Sequence, residues 1–102
     1  MEETREVITM KELEEIMTSR TGKFDASSVD TYGFSVDMLC TGVHFDKSMD
    51  DDSEYVCMIL INEPTEVQID PSYIETIYLD EDGTITIIFI KEFPNLIIKY
   101  RE

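Results

Sequence analysis

The run Ile74-Glu75-Thr76-Ile77-Tyr78-Leu79-Asp80-Glu81-Asp82-Gly83-Thr84-Ile85-Thr86-Ile87-Ile88-Phe89-Ile90 decides the fold. Two stretches rich in β-branched residues flank Asp80-Glu81-Asp82-Gly83. Asp-Gly supports positive φ, so this reads as a hairpin joining strands Ile74 to Leu79 and Thr84 to Ile90. Downstream, Phe93-Pro94-Asn95 turns the chain into a last strand, Leu96 to Arg101. Upstream, Asp70-Pro71-Ser72 is a turn, Glu66 to Ile69 a short strand, and Asn62-Glu63-Pro64 a break. Tyr55 to Ile61 is a strand apolar on both faces, and Asp46 to Glu54 a polar loop. Phe34, Val36, Met38 and Cys40 alternate with Ser35, Asp37, Leu39 and Thr41, which predicts a half-buried strand. Val43 and Phe45 continue it past an irregularity at Gly42.

The N-terminal part changes period. Thr9-Met10-Lys11-Glu12 is a capping box, with Thr9 at N-cap and Glu12 reaching back from N3. Ile8 and Leu13 supply the hydrophobic staple. Met10, Leu13, Ile16 and Met17 form one apolar stripe, and Gly22 stops the helix. The spacing predicts a helix over about residues 10–20. Residues 21–33, with Ser27, Ser28, Asp30 and Gly33, read as a connection.

The expected architecture is α+β, a single domain over residues 1–102. One N-terminal helix precedes a five- or six-stranded antiparallel meander (34–101), curled like a barrel, with neighbouring strands paired in chain order. The order of elements resembles that of Sm-like and other small barrels, without an Sm sequence signature. No apolar run approaches the roughly 18 residues that cross a bilayer. The start, Met1-Glu2-Glu3-Thr4, has no signal-like apolar segment. Two cysteines are too few for a disulfide scaffold, and a reduced, cytoplasmic protein is expected.

Catalytic chemistry finds little purchase. His44 is the sole histidine, and on a strand it would stand roughly 13 Å from Cys40. Cys40 and Cys57 fall in strands that pair if the meander is continuous, so a disulfide under oxidation is conceivable there, although two buried thiols are the plainer reading. A zinc site needs four Cys or His ligands where the chain has three. Asp46, Asp50, Asp51, Asp52 and Glu54 offer oxygen ligands but not the Ca²⁺-loop pattern. No phosphate loop and no Gly-x-Ser-x-Gly elbow occur. The expectation is a non-enzymatic protein with no catalytic residue, cofactor or metal.

Charge is the remaining signal. Eight bases against 23 acids give −15, which excludes direct binding to nucleic acid or an anionic membrane. Residues 1–30 carry 8 acids and 4 bases, residues 31–66 carry 8 and 1, and residues 67–102 carry 7 and 3, so the middle is most negative. Carboxylates clustered in this way imitate a polyanion, since duplex DNA carries one charge per about 1.7 Å of axis. Size and charge resemble those of small acidic inhibitors from phages and mobile elements, anti-CRISPR proteins among them. The expected partner is a basic surface of a nucleic-acid-processing protein. It would contact Asp46, Asp50, Asp51, Asp52 and Glu54, with Glu12 and Glu15 as a second acidic face. A competing reading comes from Ile88, Ile90 and Ile97. They fall on the strand faces opposite the expected core and would support a homodimer through the sheet.

Overall fold

The computed structural model describes residues 5–20, 22–29, 35–51, 54–90 and 93–101. Its elements are β1 (Arg5–Ile8), α1 (Met10–Ser19), β2 (Phe24–Val29), β3 (Ser35–Cys40), β4 (Gly42–Lys47), β5 (Tyr55–Asn62) and β6 (Thr65–Ile69), then a 3₁₀ turn (Pro71–Tyr73), β7 (Ile74–Asp80), β8 (Ile85–Phe89) and β9 (Leu96–Tyr100). The class is α+β with antiparallel pairing throughout.

Local chemistry builds the predicted elements. At α1, Thr9 Oγ1 accepts from the Glu12 amide at 3.2 Å and Glu12 Oε1 accepts from the Thr9 amide at 3.1 Å. The stripe buries Leu13 and Met17 completely and Met10 and Ile16 in part. Each full burial contributes roughly 1.5–3 kcal/mol. In the β7–β8 hairpin the Gly83 amide donates to Asp80 O at 2.9 Å and the Asp80 amide to Thr84 O at 2.8 Å. Gly83 sits at φ +91°, and a Cβ there would come within 3.2 Å of Arg20 Nη2. Arg20 itself donates to Gly83 O at 2.9 Å, so the helix end is tied to the hairpin turn.

The single curled sheet is corrected to two sheets, with no closed barrel. Six strands lie in the order β1-β7-β8-β9-β2-β3 and three in the order β4-β5-β6. The chain changes sheets at Thr41. Cys40 pairs with Phe24 in the large sheet, while Gly42 pairs with Ile61 in the small one. Chain-order pairing therefore holds within β4–β6 and within β7–β9 and fails between them. The connection at 21–33 is likewise corrected, because it contains β2. Phe24 and Ala26 are buried at 1% and 3% against Tyr100 and Ile98, and this packing overrides the turn preference of Ser27 and Ser28. β1 was not anticipated. Its only buried side chain, Ile8, gives no period to read.

One core joins both sheets and the helix. Ile77, Ile85, Ile87, Ile98, Phe24 and Cys40 come from the large sheet, Phe45, Met58, Leu60 and Ile69 from the small sheet, and Leu13 and Met17 from α1. The small sheet and α1 thus share the cover of the large sheet's inner face. Thr84 and Thr86 are buried at 8% and 7%; Thr86 is sunk between Tyr78 and Ile97, its partners in register. Among the described residues no helix is long and apolar enough to cross a membrane.

Candidate partner-binding surface

The acidic surface is organised by the hairpin between β4 and β5. Its loop is tied by Ser48 N to Glu54 O at 2.9 Å, Glu54 N to Asp51 O at 3.0 Å, and Asp50 N to Ser48 Oγ at 3.3 Å. These bonds hold the backbone of a loop whose side chains Asp50, Asp51 and Glu54 are exposed. Asp52 lies outside the described residues. The register shifts after Asp46, which pairs with Cys57, while Lys47 pairs with Tyr55. Val56 is the extra residue of this bulge, and it rotates Tyr55 toward the helix.

That rotation makes a junction. Tyr55 Oη donates to Glu14 Oε1 at 2.6 Å, and Lys47 Nζ lies 2.9 Å from Glu14 Oε2. Phe45 meets the Tyr55 ring edge-on at 6.1 Å. The Tyr55 hydrogen bond, with help from Lys47, holds the Glu14 carboxyl below the usual range. Burial first, and then Glu14, push the Tyr55 hydroxyl up to about 12, so it stays a donor at neutral pH. Glu15, the next residue of α1, is exposed. Glu14 of the helix and Lys47 and Tyr55 of the hairpin meet at this junction. Glu12 is exposed one turn away and is engaged in the capping box.

Asp46 does not join them. It lies on the outer face of the small sheet, 3.4 Å from His44 Nε2, with both side chains more than half exposed. Cys57 is its cross-strand partner. No group of three His, Cys, Asp or Glu side chains placed to hold a metal occurs among the described residues. Both thiols are free, which agrees with the plainer reading of Cys40 and Cys57; Cys40 is buried in the large sheet and Cys57 is half-buried in the small one.

The large sheet treats charge differently. Arg5 Nε meets Asp80 Oδ1 at 3.1 Å, and Arg101 makes two bonds of 2.9 Å to Asp25. The Arg101 pair holds the Asp25 carboxyl low, and hydrogen bonds from Thr84 do the same for Asp82. Ile88 and Ile97 lie on this sheet's outer face, in register with Thr76 and Thr86, and Ile90 follows the end of β8; all three are half-buried. Val7, on the same face, is 64% exposed. A cleft at Tyr73, Phe89 and Phe93 went unread in the sequence, where the only cue is an aromatic in each of two proline turns.

No protein-family model, curated protein or solved structure matches this chain.

Proposed function

We propose that the chain is a non-enzymatic binding protein that blocks a basic, nucleic-acid-binding partner, as a DNA mimic or an anti-CRISPR-like inhibitor of phage or mobile-element type. The supporting observation is regional charge. Residues 42–69 carry Asp46, Asp50, Asp51, Asp52, Glu54, Glu63 and Glu66 against the single base Lys47. Lys47 is itself held by Glu14, a carboxylate of the helix. A basic groove would be steered toward this region from beyond contact distance. Asp50, Asp51, Asp52 and Glu54 are its leading contacts, Glu12 and Glu15 its second row, and Asp46 a contact on the far face. Action in a reducing cytoplasm belongs to this reading and agrees with two free thiols.

The test is capture of a nucleic-acid-binding protein by the immobilised chain. Duplex DNA should release the captured protein. So should salt raised from about 0.1 M to about 1 M, as the Debye length falls from about 10 Å to about 3 Å. The triple substitution Asp50→Asn, Asp51→Asn, Asp52→Asn should fold normally and capture at least about tenfold less. A complex indifferent to salt, DNA and the triple substitution defeats the proposal.

A second reading, a structural or accessory domain that self-associates, is favoured by the outer face of the large sheet, where exposed Val7 and half-buried Ile88 and Ile97 would meet a partner copy, with Ile90 at its edge. Sedimentation gives the discrimination: a stable dimer dispersed by Ile88→Lys supports this reading, and a monomer at all concentrations removes it.

A further inference from the structure

Where the end of β6 approaches β8, a cleft of ≈ 280 Å³ opens between the sheets, lined by Ile69, Asp70, Tyr73, Phe89, Phe93 and Pro94 among others. Tyr73 and Phe93 stand at 78° to each other with centroids 5.8 Å apart, forming two walls. They are 48% and 53% exposed, so much of each ring faces water. Phe89 adds a third aromatic surface, and Ile69 with Pro94 adds aliphatic surface.

The charge on the rim belongs to Asp70, and it is held in place. Asp70 Oδ1 accepts from the Ser72 amide at 2.9 Å, while its carbonyl accepts from the Tyr73 amide at 3.1 Å. Tyr73 O in turn accepts from Ile90 N at 2.9 Å, which ties the turn to the end of β8. The Ser72 bonds hold the Asp70 carboxyl below its ordinary range and so ionised at neutral pH. No Lys or Arg pairs with it among the described residues.

Aromatic faces carry negative potential, and a fixed carboxylate beside them selects for an organic cation. A purely apolar occupant would strip water from Asp70 without compensation. An anion is repelled by Asp70 and by the surrounding −15. We infer that this cleft receives a cationic side chain of a polypeptide partner, arginine before lysine, with the head between the rings and Asp70 and the stem against Ile69 and Pro94. Arginine ranks first because its planar group stacks on a ring while its N–H groups meet the carboxylate. Ile69 pairs with Met58, three residues from Tyr55, so the cleft lies on the order of 15 Å from the acidic hairpin. One basic partner spans both. The inference rests on the basic-partner reading for the source of the cation.

The experiment is an NMR titration of the full chain with N-acetyl-arginine methylamide, its lysine analogue and its uncharged citrulline analogue. Saturable shifts at the rings of Tyr73, Phe89 and Phe93 are expected with arginine, weaker ones with lysine and none with citrulline. Asp70→Asn keeps an oxygen to cap Ser72 and should weaken binding about threefold to tenfold. Tyr73→Leu and Phe93→Leu, both at half-exposed positions, should each abolish saturation. Equal shifts with citrulline, or arginine shifts confined to the hairpin, overturn the inference. No partner protein is used. A failed titration therefore leaves salt-sensitive capture by the hairpin standing, and failed capture leaves the cleft's titration standing.

Discussion

The two sheets share a core but handle charge in opposite ways. In the large sheet, arginines meet carboxylates: Arg5 with Asp80 and Arg101 with Asp25. The small sheet spans residues 42–69 with seven acids and one base, while the remainder of the chain has 23 − 7 = 16 acids and 8 − 1 = 7 bases. Paired charge suits a surface that only needs water around it. Uncompensated charge costs stability through self-repulsion, and it is densest along the small sheet. The surplus is −6 over the 28 residues of the small sheet and −9 over the other 74, and the contrast holds only if the two sheets form one folding unit.

The largest effect tests that unity. Leu60 in β5 and Ile87 in β8 are both fully buried in the shared core. Leu60→Ala and Ile87→Ala should each cost about 2–5 kcal/mol in urea or thermal unfolding. Each should shift a single transition, seen alike by far-UV circular dichroism and tyrosine fluorescence. If Leu60→Ala lowers only part of the signal, the small sheet melts alone and the comparison breaks.

Next come the two thiols, one per sheet. Burial first, and the Asp25 charge second, push the Cys40 thiol up to about 11. Cys57 is only half-buried. At pH 8 an aromatic disulfide reagent should label half-buried Cys57 at least about tenfold faster than Cys40, which is shielded from the reagent and holds its proton. Equal rates would mean that β3 opens as readily as β5.

Smaller again is the junction that joins helix to hairpin. Tyr55→Phe removes the 2.6 Å bond to Glu14 and should cost about 1 kcal/mol after screening by solvent. The pH dependence has two limbs. Glu14 is depressed in the folded state, so its contribution is present above its ordinary value of 4.5 and fades as pH falls through the lowered one. Tyr55 is raised from 10.0 to about 12, so its contribution is complete below pH 10 and is lost between 10 and about 12. Chemical unfolding across both ranges should show these losses in the native chain and a flatter alkaline limb in Tyr55→Phe.

These tests follow what was and was not legible in the residues. The capping box at Thr9 and Glu12 and the Asp80–Gly83 hairpin are local devices, and both stand in the structure as read. The sheet division was not legible, because a single residue, Thr41, separates β3, which pairs back with β2, from β4, which pairs forward with β5, and no turn signal marks the change. β2 was hidden for another reason: Ser27 and Ser28 carry turn preferences, and pairing with β3 on one side and β9 on the other makes them strand. For the candidate surface, the acidic loop could be read as a run of carboxylates. Its junction with the helix could not, since a bulge at Val56 aims Tyr55 at Glu14 from 41 residues away. The same division moves Asp46 to the far face.

The smallest effect separates the two treatments of charge directly. Asp25 is paired with Arg101 in the large sheet, whereas Asp50 in the hairpin has no cation against it among the described residues. Replacing either aspartate with asparagine relieves one unit of repulsion from a −15 molecule. For Asp25 that relief is offset by loss of the bidentate contact, so the melting temperature should hold steady or fall slightly at low salt. For Asp50 nothing offsets it, so the melting temperature should rise slightly. Both shifts should shrink toward zero near 1 M salt, where charges more than about 3 Å apart no longer sense each other. Identical shifts at low salt would mean that the Asp25 pair contributes nothing, and the large sheet would then be as uncompensated as the small one.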